Sequence, residues 1–414
     1  MNVRAEQIEL DGLSPIEVFL RLPKNTRGLS FLASDGTVES RWSILTWDPV
    51  KTVASADELK AILAERKRKA ETELPFIGGG IGSIDYELGY HLLDLPCPSA
   101  NHEHLEWSFY DSALVYDHQK GVWWGIGEGN HAFVEIIHEL SLQKSRISLT
   151  PSWDFRRYQT AFAQLKENIR IGEIYQTCLS FPFFGEAVES PRALFAQLFQ
   201  KNPAPMAAYL EQSNRTVLSL SPERFIVWDG HTIETMPIKG TRPRGKTPEQ
   251  DRAIKEDLLR NEKERAELNM ITDLLRNDLA KVCKPGSVKV HELRAIQECP
   301  NVWHAYSHIV GESKEGILAW DIVEAMFPGG SISGCPKRRA VEILTELESQ
   351  ARGIYTGCIG MISDHGRMDL NIAIRTLEQS AERIQASFGG GIVYDSVAER
   401  EYQEIFDKAK PFLS

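Results

Sequence analysis

Hydrophobic and polar positions follow different rhythms in the two parts of the chain. Over residues 1–150, short apolar runs such as Leu29–Leu32 and Trp42–Trp47 alternate with turn residues, the pattern of short strands. Glu106–Tyr116 and Val122–Gly127 flank His118-Gln119-Lys120-Gly121 and predict a hairpin. The charged, Ala-rich stretch Lys60–Thr72 predicts a surface helix. From Pro151 longer periods appear. Asp154 stands as a cap before Phe155, Tyr158, Phe162, Leu165 and Ile169, which share one face of a helix ending near Ile171. A single long helix is predicted from Pro248 to about Val282, on the i, i+3, i+4 rhythm of Ile254, Leu258, Leu268, Ile271, Leu274 and Leu275. Pro336–Gln350, with proline in its first turn, and Val397–Lys410 are two more amphipathic helices. Strand-like runs lie between them at Thr177–Phe184, Met206–Leu210, Val217–Leu220, Arg224–Trp228, Thr232–Met236, Val302–Val310, Cys358–Ile362, Asp369–Leu377 and Arg383–Phe388. Strands and helices do not strictly alternate, so the expectation is an α+β fold with largely antiparallel pairing, not a doubly wound sheet. Residues 1–150 form its β-rich part and residues 151–414 the remainder of one large interwoven domain.

Composition narrows the function classes. The 414 residues are 42% hydrophobic and 25% charged, ordinary for a globule and contrary to wholesale disorder. Lys plus Arg number 47 and Asp plus Glu 58, a formal charge of −11. The bases are interleaved with acids, as in Lys255-Glu256-Asp257, which removes a phosphate-tracking nucleic-acid surface. No apolar, uncharged run reaches the ~18 residues of a membrane span. The first residues carry no secretory signal, so a cytoplasmic protein is expected. The six cysteines form no CxxC pair and predict reduced thiols, neither a disulfide scaffold nor a zinc ribbon.

Four groups of residues can carry chemistry. Glu264 and Glu267 are three apart on one predicted helix, and Glu401 and Glu404 repeat the spacing on another. Two such faces meeting would make an oxygen-rich cage suited to Mg²⁺, although spacing alone fits solvated helix surface as well. Glycine-dense turns at 239–245, 329–334 and 389–393 present backbone N–H groups able to cradle an anion, or are plain tight turns. The glycines of 76–84 lack a following helix and the dinucleotide spacing, which points to close backbone packing. Lys239, at a strand end between Ile238 and Gly240, becomes a nucleophile where burial frees its amine; otherwise it is a surface lysine. His304, Glu223 and Arg375 are polar candidates with no nucleophile elbow beside them.

Taken together, several strings resemble the chorismate-utilising enzymes, the family of anthranilate, aminodeoxychorismate, isochorismate and salicylate synthases. They are PIKGTRPRG, NEKERAELNMITDLLRNDL, FPGGSISGCPKRRAVEIL, GIYTGCIG, LNIAIRTL and FGGGIVYDSVAEREYQEIFDKA, within residues 154–412, with weaker likeness in RWSILTWDP and FIGGGIGSIDYELG. The resemblance implies two packed, largely antiparallel sheets flanked by helices. It implies that Glu264, Glu267, Glu401 and Glu404 bind Mg²⁺, which holds the ring carboxylate of chorismate. It further implies that Tyr355 and Arg375, with the amides of Gly389, Gly390 and Gly391, hold the enolpyruvyl carboxylate, and that Gly240 and Thr241 lie near the ring carboxylate. His304 matches the active-site histidine, Ser331 stands where the family has Ser or Thr, and Glu223 matches the acid that protonates the departing C4 hydroxyl.

Two positions discriminate among members. Gln176 replaces the lysine base of the water-adding enzymes, and an amide cannot take a proton from water. Lys239, in PIKGT, resembles the aminodeoxychorismate branch, where the lysine attacks C2 and ammonia then adds at C4. That implies ammonia supplied by a separate glutamine amidotransferase subunit, because no glutaminase nucleophile is recognisable in the chain. The alternatives are anthranilate formation and a non-catalytic chorismate-binding subunit. Pro182, Cys335 and the weakened effector-site string Ser30–Ser34 depart from the family pattern.

Overall fold

The structure is a computed structural model that describes residues 5–10, 12–37, 40–98, 105–127, 145–299 and 302–413. Two large sheets carry the fold, and all their strand pairs are antiparallel among the described residues. The first runs in the order Ala5–Ile8, Val122–Ile126, Ala113–Asp117, Trp42–Thr46, Ser30–Ala33, Met206–Glu211, Thr216–Ser221, Thr376–Gln379, Arg383–Ile392, Gln176–Glu186. The second runs Ile238–Pro243, Val302–Glu312, Thr232–Thr235, Arg224–Trp228, Met368–Ile372, Cys358–Ser363, Gly79–Ile84, Leu105–Tyr110, Lys51–Val53. Strands from before and after residue 150 pair within both sheets, as Ser30–Ala33 does with Met206–Glu211.

The inner faces of the two sheets meet in one apolar layer, with Ile44, Val115, Ala208 and Val217 from the first and Ile81, Tyr110, Ile359 and Met361 from the second. The outer face of the first sheet is covered by Pro15–Arg21, Phe155–Arg170, Pro191–Lys201, Lys337–Glu348 and Ala398–Ala409. The outer face of the second takes Ala56–Arg66, Glu262–Val282 and Ala319–Met326. Each helix buries one apolar stripe, the arrangement that amphipathic periodicity demands. In Phe155–Arg170 that stripe is Tyr158, Phe162, Leu165 and Ile169, and Asp154 caps it by accepting from Arg157 N at 2.8 Å.

Several expected elements differ. The helix expected over Lys60–Thr72 lies at Ala56–Arg66, because Ser55 supplies an N-cap that accepts from Glu58 N. The expected run Glu106–Tyr116 divides: Leu105–Tyr110 joins the second sheet, while Ala113–Asp117 joins the first and makes the hairpin with Val122–Ile126. Asp369–Leu377 divides in the same way between the sheets. The long helix breaks at Asn261 into Pro248–Arg260 and Glu262–Val282; Asn261 leaves helical geometry and caps the second helix by accepting from Glu264 N. Strand Lys289–Glu298 had no clear signal, since most of its side chains are exposed or half-buried. The glycines of Gly79–Ile84 serve close packing: a Cβ on Gly82 would lie 2.2 Å from the Glu106 carbonyl oxygen. No described helix is long and apolar enough to cross a membrane.

Candidate active site

The site lies at a corner where two chain segments pass from one sheet to the other. Thr216–Ser221 leaves the first sheet and Arg224–Trp228 enters the second, with Glu223 in the joint. Met368–Ile372 leaves the second and Thr376–Gln379 enters the first, with Arg375 in the joint at φ +51°. The joints are laced together: Leu220 N donates to Arg375 O (3.0 Å), Ile372 N to Glu223 O (3.0 Å), and Ser221 Oγ to Ile372 O (2.6 Å). Main-chain bonds thereby fix the two joints, with Glu223 buried and Arg375 half-buried.

Lys239 connects the elements around this corner. Its Nζ donates to Ser331 O at 3.1 Å, and Ser331 Oγ donates to Glu223 Oε1 at 3.0 Å. Ser331 sits on the short turn Gly330–Ser333. A Cβ on Gly391 would lie 3.4 Å from Gln176 Nε2 and 3.8 Å from Lys239 Nζ, so these two side chains converge over a glycine that leaves them room. Gln176 is 1% exposed, and its Oε1 is a buried acceptor without a hydrogen-bond partner among the described residues. Such an atom suits a ligand N–H. Burial pushes the Glu223 carboxyl above the ordinary carboxylate range, although the Lys239 ammonium and Ser331 pull it down.

Across the corner, Thr241 Oγ1 and His304 Nδ1 share a hydrogen bond of 2.8 Å, on the paired strands Ile238–Pro243 and Val302–Glu312. Burial first, and then the Arg375 charge, lower the His304 pKa to about 4, so the ring is neutral near pH 7. Burial lowers the Arg375 pKa as well; its guanidinium has no ion pair or side-chain hydrogen bond among the described residues. A half-buried cation with no such partner is suited to an anionic ligand. Tyr355 is 5% exposed, and burial lifts its phenol well above the ordinary value. The neighbouring Thr356 N donates to Ala373 O (2.8 Å), which ties this turn to the Arg375 joint.

The four glutamates reach the other end of the site without forming a finished metal shell: among the described residues, no three His, Cys, Asp or Glu side chains are so gathered. Arg242 holds Glu264 with two bonds of 2.8 and 3.1 Å. Lys263 Nζ lies 3.3 Å from Glu401 and 4.0 Å from Glu267. Lys408 pairs with Glu404 at 2.8 Å and donates to Gly389 O at 2.9 Å. Burial raises Glu267; Lys239 and Lys263 oppose it, while Glu401 and Glu264 add to it. A Cβ on Gly240 would lie 3.1 Å from Glu264 Cδ, and one on Gly390 3.5 Å from Glu401 Oε2. The donor chemistry fits a hard divalent cation, and the Lys263 ammonium stands in for one between two carboxylates. Arg242, Lys263 and Lys408 are thus site residues that sequence reasoning missed; each lies inside a quoted string but pairs with a glutamate through space.

An amine, a buried acid, a neutral imidazole, an unpaired guanidinium and a bank of carboxylates suit a small molecule that bears carboxylates. The comparisons identify its class. The chain matches the chorismate binding enzyme family over residues 29–414 and belongs to it. It is 36% identical over 405 residues to the aminodeoxychorismate synthase component 1 of Salmonella typhimurium, covering 90% of this chain and 89% of that protein. It is 31% identical over 451 aligned positions to the anthranilate synthase component 1 of Lactococcus lactis, covering 99% of each. The crystal structure of anthranilate synthase component I from Streptococcus pneumoniae superposes with a TM-score of 0.81 at 28% identity, over 98% of both chains.

Proposed function

We propose that this chain is an aminodeoxychorismate synthase component I, converting chorismate and ammonia to 4-amino-4-deoxychorismate, the precursor of 4-aminobenzoate for folate. The carrying observation is the placement of the Lys239 amine beside Gly391 and Gln176, one residue contact from the acid Glu223. In the proposed reaction the Lys239 amine forms a bond to C2 of the ring. The C4–O bond breaks with a shift of the ring double bond, and Glu223 delivers its proton so that the hydroxyl leaves as water. Ammonia then bonds to C4, the C2–N bond to Lys239 breaks, and the surplus ammonia proton passes to the Glu223 carboxylate. Arg375 and Tyr355 bind the enolpyruvyl carboxylate beside the amides of Gly389–Gly391. His304 and Thr241 orient the ring, and Gln176 Oε1 accepts from ammonia.

Glu264, Glu267, Glu401 and Glu404 would hold Mg²⁺, which when bound neutralises the ring carboxylate. Ammonia comes from a partner glutamine amidotransferase subunit, and the enzyme works in the cytoplasm. Anthranilate formation is the second reading, favoured by the full-length likeness to the Lactococcus lactis protein. Lys239→Ala tests the proposal. With chorismate, Mg²⁺ and ammonium present, it is expected to lose at least ~100-fold of C4 amination. Full C4 amination by that variant would remove the covalent lysine from the mechanism.

A further inference from the structure

Behind the candidate site lies a fully buried guanidinium that the proposed chemistry does not use. All five N–H donors of Arg352 are engaged. Nε donates to Glu348 Oε2 (2.7 Å), and Nη2 donates to Glu348 Oε1 (2.7 Å) and Cys178 O (2.6 Å). Nη1 donates to Ile332 O (3.2 Å) and Thr356 Oγ1 (3.1 Å). The group stacks on Tyr86 at 4.5 Å and stands 5.9 Å from the Tyr355 ring. Its own backbone N–H donates to Glu87 Oε1 at 2.7 Å.

These acceptors are not scattered. Cys178 is two residues beyond Gln176, Ile332 follows Ser331, and Thr356 follows Tyr355. Glu348 extends the tie, because its Oε1 also accepts from Ser180 N and Ser180 Oγ, both at 2.9 Å. One planar fork therefore reaches three separate segments, each carrying a residue of the candidate site. A buried ion pair is a poor device for stability alone, since desolvation offsets most of its attraction. Its geometry, however, is suited to fixing several backbones relative to one another. A lysine brings three donors at a single point and cannot reproduce five fixed directions.

We infer that Arg352, clamped by Glu348, is a positioning residue that sets the mutual register of Gln176, Ser331 and Tyr355 for turnover of chorismate. It does not touch the substrate. It acts chiefly through Ile332 O, which holds the turn whose Ser331 orients both Glu223 and Lys239. The inference rests on the site assignment above but not on which product forms.

The test follows chorismate consumption, whatever the product, together with the thermal midpoint of each protein. Arg352→Lys is expected to fold and to lose ~100-fold in kcat, with KM for chorismate changed less than ~5-fold, the loss that follows from misplacing reacting groups by about 1 Å. An Arg352→Lys enzyme with a lowered thermal midpoint but kcat within ~3-fold of the parent would reduce Arg352 to a structural residue and overturn the inference. If Arg352→Lys does not fold, Thr356→Val and Ser180→Ala decide. Each removes one partner of the clamp, and a fall of ~10-fold in kcat at constant KM upholds the inference, whereas parental kcat in both overturns it. Anthranilate as the product would sink the C4 assignment and leave this outcome unaffected.

Discussion

At the scale of single residues, burial shifts the titration of groups in the candidate site. It raises the Glu223 carboxyl, and it holds His304 neutral near pH 7 with a pKa of about 4. The His304 shift has a consequence for stability. Its folded pKa lies below the ordinary 6.5, so between pH 6.5 and 4 the unfolded chain binds more protons. Stability from this group is full above about pH 6.5 and is lost as the pH falls. At pH 5 the loss amounts to ~2 kcal/mol. Urea titrations at pH 7 and pH 5 should show that His304→Gln lacks about this much of the acid destabilisation; equal pH dependence in the two proteins would mean that His304 is not buried in this way. Glu223→Gln, which cannot deliver a proton, is expected to lower kcat by ~10²-fold or more at unchanged fold. Lys239, Glu223 and His304 stand out as candidates in the sequence because they lie in dense motifs. The cations Arg242 and Lys263 were not, because a salt bridge to a glutamate is a fact of three dimensions that no spacing announces.

At the scale of elements, strong amphipathic helices were legible and chain breaks were not. The stripe of Phe155–Arg170 marks the helix and its cap almost to the residue, whereas the break at Asn261 falls in the polar stretch between Leu259 and Leu268, which reads equally well as the exposed part of one long helix. Likewise the runs through Asp111-Ser112 and Ala373–Arg375 look continuous because both sides are apolar, yet each changes sheets. The break at Asn261 matters because Lys263, Glu264 and Glu267 follow it directly. Asn261→Ala should cost ~1 kcal/mol through loss of the cap, measurable by denaturant titration. Lys263 bridges Glu401 of one helix and Glu267 of another, so a divalent cation bound as proposed would have to displace its ammonium. Lys263→Met is therefore expected to bind Mn²⁺ several-fold more tightly by equilibrium titration; weaker binding would show that Lys263 does not compete for these carboxylates.

At the scale of the whole molecule, the two sheets exist to make a corner. Switching two segments between them brings the joints that carry Glu223 and Arg375 together through main-chain bonds, and the outer helices deliver carboxylates from opposite sheets: Glu264 and Glu267 from the second, Glu401 and Glu404 from the first. The fold class was legible from irregular alternation and motif likeness; the crossing points needed the pairing itself. This architecture serves several reactions of chorismate, so the central claim is about which carbon receives nitrogen. The most direct measurement incubates the chain with chorismate, Mg²⁺ and an ammonium salt, adds an aminodeoxychorismate lyase, and separates the aromatic products. 4-Aminobenzoate is the expected product, and anthranilate in its place would refute amination at C4.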